Sequence, residues 1–120
     1  MKLGQYLSQG GGPSPQLARV TQAQGGRLVA KGQDTADSPP QFAPYGIASL
    51  APEGERVLLL PFEDGYACVG VLTGSGGLEA GELVLKSAGG AYIRLKNNGE
   101  VEINGLTVTG DGVLRPPREE

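Results

Sequence analysis

The chain has 120 residues and a formal charge of −3, with 21 glycines, 9 prolines, four tyrosines, two phenylalanines and neither tryptophan nor histidine. This length suits one domain with a modest core, or one small domain with an extension, and the many turn-forming residues predict an all-β fold. The ten basic and thirteen acidic residues form no block of like charge, so neither nucleic acid nor an anionic membrane is an expected partner.

The chain has a single cysteine, Cys68, which cannot form a disulfide within one chain. Packing or partner chains must therefore hold the fold, as suits assembly in a reducing cytoplasm. Neither the N-terminal MKLGQYLSQGGG nor the longest apolar run, VLLL at residues 57–60, has the length of an export signal or a membrane span.

Residues 1–15 contain three consecutive glycines and two prolines, a composition that predicts a flexible arm. Leu3, Tyr6 and Leu7 are its candidate anchors on a partner. A frayed terminus without a role is the alternative interpretation.

Residues 16–77 predict a small barrel that begins with two strands. QLARVTQAQ and RLVAKG meet at Gly25-Gly26, and glycine accepts the positive φ that a tight hairpin turn needs. A short helix over residues 16–24 is the alternative, because Leu17 and Val20 share helical spacing.

The polar, proline-rich QDTADSPPQFAP, residues 33–44, predicts a surface loop. YGIASLAP, ERVLLLPF and YACVGVLTG then predict three further strands. Five short strands with glycine-marked turns are typical of a closed barrel of the oligonucleotide- and oligosaccharide-binding (OB) type, in which no sheet edge stays open.

The sequence GSGG at residues 74–77 marks a boundary, and residues 78–114 predict a β-extension. Within AYIRLKNNGEVEINGLTVTGDGV, apolar and polar residues alternate in three short runs. A three-residue loop, Asn97-Asn98-Gly99, with Gly99 in the left-handed region, places apolar residues opposite apolar ones and basic residues opposite acidic ones. The predicted pairs are Leu95 with Val101, Ile93 with Ile103, Lys96 with Glu100, and Arg94 with Glu102.

The next reversal, Asn104-Gly105, fits a two-residue turn that sets Ile103 beside Leu106 and Val101 beside Val108. It also sets Glu102 and Glu100 opposite Thr107 and Thr109. The three runs then share one apolar face, formed by Ala91, Ile93, Leu95, Val101, Ile103, Leu106 and Val108. Register alone leaves open whether these runs pair within one chain or with other chains.

Burying this face is worth on the order of 10 kcal/mol, at about 1.5–3 kcal/mol for each large side chain, and no later segment of the sequence can cover it. Three copies around an axis would bury it in a triangular β-prism with a dry interior. A dimeric sandwich and packing against the chain's own barrel are the alternatives.

This arrangement resembles the central spike, or baseplate assembly protein V, of contractile phage tails, and most of all the spike of Mu-like phages. PYGIASLAPEGERVLLLPFEDGYACVGVLTG in the barrel and ELVLKSAGGAYIRLKNNGEVEING in the extension carry the resemblance. The resemblance implies a homotrimer in the tail baseplate of the virion, bound to the hub protein, whose β-helical needle pierces the host envelope during contraction.

Many such spikes close their tip with a His-x-His pair from each chain around an iron ion, and a chain without histidine cannot form that tip. No cofactor or metal site is predicted, and Asp111 is only a minor candidate for a structural ion. The sequence ends in a polar tail, residues 115–120, so a blunt, disordered or protein-capped tip is expected. The predicted tip residues are Val113, Leu114, Arg115, Pro116 and Pro117.

No enzyme is predicted, because a hydrolase triad lacks its histidine and Cys68 lies within a predicted strand. Two other functions remain as alternatives. An OB-type nucleic-acid or ligand binder would need a basic groove with stacking aromatics, which this composition disfavours. A trimeric capsid-decoration or fibre-attachment protein would share the same assembly.

Overall fold

A computed structural model describes residues 14–117, so the predicted N-terminal arm lies almost wholly outside the described residues. The described chain is all-β, as predicted, with ten strands in two antiparallel five-stranded sheets. It divides between Thr73 and Gly74, at the start of GSGG, into two compact units. Residues 14–117 contain no helix that could cross a lipid bilayer.

The first unit contains five strands, which are β1 (Gln16–Gln24), β2 (Arg27–Lys31), β3 (Thr35–Asp37), β4 (Arg56–Phe62) and β5 (Gly65–Val71). Their spatial order is β3-β2-β1-β4-β5, so β1 pairs with both β2 and β4. The predicted turn between β1 and β2 is confirmed, because Gly25 and Gly26 have φ values of +57° and +81°.

Inward-pointing side chains of these strands form the core of the first unit. Alternation along β1 and β4 buries one face of each strand, and Val57 and Leu59 are fully buried. In β2 the three consecutive residues 28–30 are buried. The register of β1 shifts between Val20 and Gln22, and β4 is shifted against β5 beside Leu59. Such bulges bend a strand and increase its twist, which curves the sheet around the core.

The two edges of this sheet approach each other through one isolated parallel bridge between Gln41 and Cys68. The Phe42 amide donates to the Cys68 carbonyl, and the Cys68 amide donates to the Pro40 carbonyl, each at 2.9 Å. The predicted closed barrel is not found among the described residues, where the five strands form an open sheet with this single bridge.

The predicted strand over residues 16–24 is confirmed against the alternative helix, since both edges of β1 are paired. Two other expectations for this unit were wrong. YGIASLAP, residues 45–52, forms no strand, whereas β3 lies inside the predicted loop of residues 33–44. Proline at 39, 40, 44 and 52 frames these segments and removes amide donors that a longer strand would need.

The second unit contains five short strands, which are β6 (Leu83–Lys86), β7 (Tyr92–Leu95), β8 (Val101–Ile103), β9 (Leu106–Val108) and β10 (Leu114–Arg115). Each strand pairs with the next one along the chain, in the order β10-β9-β8-β7-β6. The alternating runs therefore pair within one chain as a meander, which answers a question that the register could not decide.

Candidate functional site: the apolar face of the second sheet

The predicted register of the second sheet is confirmed. Leu95 lies opposite Val101, Ile93 opposite Ile103, and Arg94 opposite Glu102. Val101 lies opposite Val108, Glu102 opposite Thr107, and Ile103 opposite Leu106. Since directly opposite residues point to the same side of a sheet, six of the seven predicted apolar residues share one face. Ala91 precedes β7 and lies two residues before Ile93, so it has the same place as Ile93 in the alternation along the chain.

Sequence reasoning missed three further members of this face. Leu83 lies opposite Leu95, Leu85 opposite Ile93, and Leu114 opposite Val108. The alternation in ELVLK could have revealed the first two, because Leu83 and Leu85 alternate with Val84 and Lys86. We call the resulting surface the aliphatic face, formed by Leu83, Leu85, Ile93, Leu95, Val101, Ile103, Leu106, Val108 and Leu114.

Nothing in the described part of the second unit covers the aliphatic face. Leu83 is 60% exposed, Leu85 58% and Leu114 65%. No residue from 74 to 117 is buried, whereas the buried hydrophobic core of the described chain lies wholly in the first unit. A patch of nine neighbouring aliphatic side chains is typical of an interaction surface.

The opposite face of the same sheet is charged and internally paired. Arg94 bonds to Glu82 at 2.7 Å, and Glu100 accepts from Arg115 at 3.0 Å and from Lys96 at 3.4 Å. The guanidinium of Arg94, followed by the Glu79 amide, holds the pKa of Glu82 below its ordinary value. Arg115, followed by Lys96, likewise lowers the pKa of Glu100. This face is suited to contact with water.

The two predicted turn glycines adopt the backbone that the register requires. Gly99 has a φ of +91° and closes the loop by donating its amide to the Lys96 carbonyl at 3.1 Å. Asn104 and Gly105 have φ values of +50° and +93°, so both central residues of the two-residue turn lie at positive φ, as in a type I′ hairpin turn.

The predicted tip residues lie at both ends of the meander. We define the near end as the end where the chain enters β6. Val113 lies in the turn at that end, and Val113 and Thr109 exchange hydrogen bonds there. Pro117 lies at the far end, about a van der Waals contact from the position of a β-carbon on Gly105. Between them, Arg115 pairs with Thr107 in β10, and Pro116 follows that strand.

The first unit places one polar cluster on its surface. The Tyr66 hydroxyl donates to Asp34 at 2.7 Å and accepts from Gln16 at 3.0 Å, and the bond to Asp34 raises the pKa of Tyr66. These contacts tie the chain between β2 and β3 to β1 and β5. Cys68 is buried. Among the described residues, no group of three or more carboxylate or thiol side chains is placed to hold a metal ion.

Comparison of the chain with protein-family models, curated proteins and solved structures finds no match.

Proposed function

We propose that the protein is a structural virion component, the central spike of a contractile phage tail or a related particle. Three copies would associate through the aliphatic face into a β-prism. The first unit would bind the baseplate hub, and the prism would pierce the host envelope.

The uncovered aliphatic face carries this proposal. A sheet of strands two to four residues long, with no buried residue between 74 and 117, lacks a core of its own. Covering these nine aliphatic side chains, six exposed and three partly buried, is worth on the order of 10 kcal/mol, because full burial of each contributes about 1.5–3 kcal/mol. The aliphatic faces of other copies would bury these side chains, while the charged face stays in water.

The strand order of the first unit supports an OB-like barrel as its finer description. β1 pairs with two strands, and a parallel bridge joins the segment after β3 to β5. These are the connections that bring the two edges of a five-stranded sheet towards closure.

The mechanical role follows from packing. A prism with a packed interior has low compressibility, so an axial force passes along it without collapse of the side chains. The exterior of the prism would be charged, so no apolar surface would adhere to the polar surroundings through which it moves.

Light scattering on the purified chain tests the trimer. The wild-type chain is expected to be trimeric, and the double variant Val101→Asp with Ile103→Asp is expected to be monomeric, because two carboxylates would be buried in an apolar interior. The matched control is Val84→Asp with Thr107→Asp, which places the same two charges on the charged face and should stay trimeric. A monomeric wild-type chain would contradict the proposal.

Antibody labelling tests the location. In electron micrographs of tail particles containing the protein, label should lie at the baseplate end, on the tail axis. Label on capsid faces would instead favour a decoration protein, and tight oligonucleotide binding with a steep salt dependence would favour a nucleic-acid binder.

A further inference from the structure

A row of three cations crosses the first sheet on its outer surface. Arg19 in β1 lies directly opposite Lys31 in β2 and Arg56 in β4, so the three side chains point to the same side. All three are exposed. They are three of the four cationic residues between 14 and 73, and we call them the basic row.

The basic row has no anionic partner within the described chain. The fourth cation, Arg27, pairs with Asp37 at 2.8 Å, and this is the single ion pair among the described residues 14–73. Arg19 instead donates to the Gly54 carbonyl at 2.9 Å. Like charges directly opposite each other in a sheet destabilise it, so an external anion would relieve the repulsion among these three cations.

The basic row also adjoins apolar surface. Leu17 lies opposite Leu58 on the same outer side, two residues along β1 and β4 from the cations. These side chains are 45% and 40% exposed. No aromatic side chain is paired with this row, so the surface lacks the stacking platform that a nucleic-acid site uses. Cations beside aliphatic side chains fit a protein partner.

A surface of opposite charge lies at the other end of β4. Glu63 and Asp64 form the turn between β4 and β5, and both are exposed. Next to them, Phe62 packs edge to face against Phe42 with ring centroids 5.4 Å apart. The two rings are 39% and 52% exposed. We call this surface the acidic turn.

We propose that the acidic turn of one copy docks on the basic row of the next copy. The two surfaces are opposite in charge, and each combines charged groups with exposed apolar side chains. Arginine also binds favourably over aromatic rings. The proposal rests on the trimer proposed above, and it adds a second contact that is made by the first units.

This contact is heterologous, because one copy contributes the basic row and its neighbour the acidic turn. Repeated heterologous contacts form a closed ring when the rotation from each copy to the next leads back to the first copy. A rotation of 120° closes after three copies, so the contact is compatible with a threefold axis. Because the contact is largely electrostatic, salt should weaken it: the Debye length falls from about 10 Å at 0.1 M to about 3 Å at 1 M.

Disulfide trapping tests the contact in the full chain. Arg56 and Phe62 bound β4, so about 20 Å separates the basic row from the acidic turn at about 3.3 Å per residue. A disulfide needs α-carbons within about 7 Å, so Arg56→Cys with Asp64→Cys can be linked only between copies. Mild oxidation of this double variant should give covalent dimers and trimers on a non-reducing gel, whereas either single variant should not.

The matched control is Gln24→Cys with Asp64→Cys, which moves one thiol to an exposed position at the end of β1, outside the basic row. A trimeric wild-type chain whose Arg56→Cys, Asp64→Cys variant is linked no better than this control overturns the contact and leaves the trimer standing. A monomeric wild-type chain overturns both.

Charge reversal provides a second measurement that needs no oxidation. Arg19→Glu with Arg56→Glu should lower the temperature at which the trimer dissociates, and adding Glu63→Arg with Asp64→Arg should restore it. Failure of the second pair to rescue the first, in a trimer that is otherwise folded, contradicts the contact.

Discussion

At the scale of single residues, the Asn104-Gly105 turn shows why these two residue types occupy it. Asn104 has a positive φ that asparagine tolerates better than most residues, and its side-chain oxygen accepts a hydrogen bond from the Tyr92 amide at 2.8 Å. Gly105 has a φ of +93°, a conformation that a β-carbon disfavours. One turn thereby fixes both the reversal from β8 to β9 and the start of β7.

Replacing Gly105 with alanine should therefore destabilise the second unit by about 1–2 kcal/mol through backbone strain. A new β-carbon would meet Pro117 at 3.5 Å, an ordinary contact, so crowding adds little to this cost. The thermal unfolding midpoint measures the effect. Gly89→Ala is the control, because Gly89 does not need a positive φ and has space for a β-carbon. Equal midpoints for the two variants would contradict the argument.

At this scale the sequence was sufficient to predict the turns and residue pairs of the second unit. Turn residues and alternation are local signals, so the pairs of Leu95 with Val101 and of Ile103 with Leu106 followed from loop length together with the apolar pattern. The Tyr66–Asp34 contact could not be predicted in the same way. It joins residues 32 positions apart, and only the assembled sheet brings them together.

At the scale of strands, Glu82 joins three segments of the second unit. Its carboxylate accepts from Arg94 in β7 at 2.7 Å, from the Glu79 amide at 3.2 Å, and from the Asn97 amide at 3.4 Å. The side chain is only 6% exposed. Because Arg94 lowers the pKa of Glu82, folding favours the ionised carboxylate.

Stability of the second unit should consequently depend on pH through Glu82. The folded pKa lies below the unfolded value of about 4.3, so the stabilisation is complete above that value and is lost as the pH falls through the folded pKa. Urea unfolding between neutral and acidic pH should show a smaller loss of stability for Glu82→Gln than for the wild-type chain.

Strand positions were predictable where an apolar run lay between turn-forming residues. ERVLLLPF contains β4, and YACVGVLTG covers all of β5 except Gly65. β3 has three residues, too few for a period, and its burial depends on Ala36 reaching the core. Conversely, YGIASLAP contains several apolar residues, yet Tyr45 is fully exposed and Ile47 is 48% exposed. Within the described chain, this segment is not paired with a neighbouring strand.

At the scale of the whole molecule, the two units obtain their stability in different ways. The first unit buries a cluster that includes Leu28, Val57 and Leu59 and so has a core within one chain. The second unit has paired strands and ion pairs, yet the described residues give it no buried core. Sheets without a covered face are marginal in water, so the second unit should depend on its copies for stability.

This difference predicts distinct behaviour for the two halves of the chain. A fragment of residues 1–73 should unfold cooperatively at a midpoint that does not change with protein concentration. A fragment of residues 74–120 should gain strand signal in circular dichroism, and a higher midpoint, as its concentration rises, because association supplies its missing cover. The same fragment with Val101→Asp and Ile103→Asp is the control and should stay unfolded at every concentration. A fragment 74–120 that folds as a monomer, with a midpoint independent of concentration, would show that the aliphatic face needs no partner.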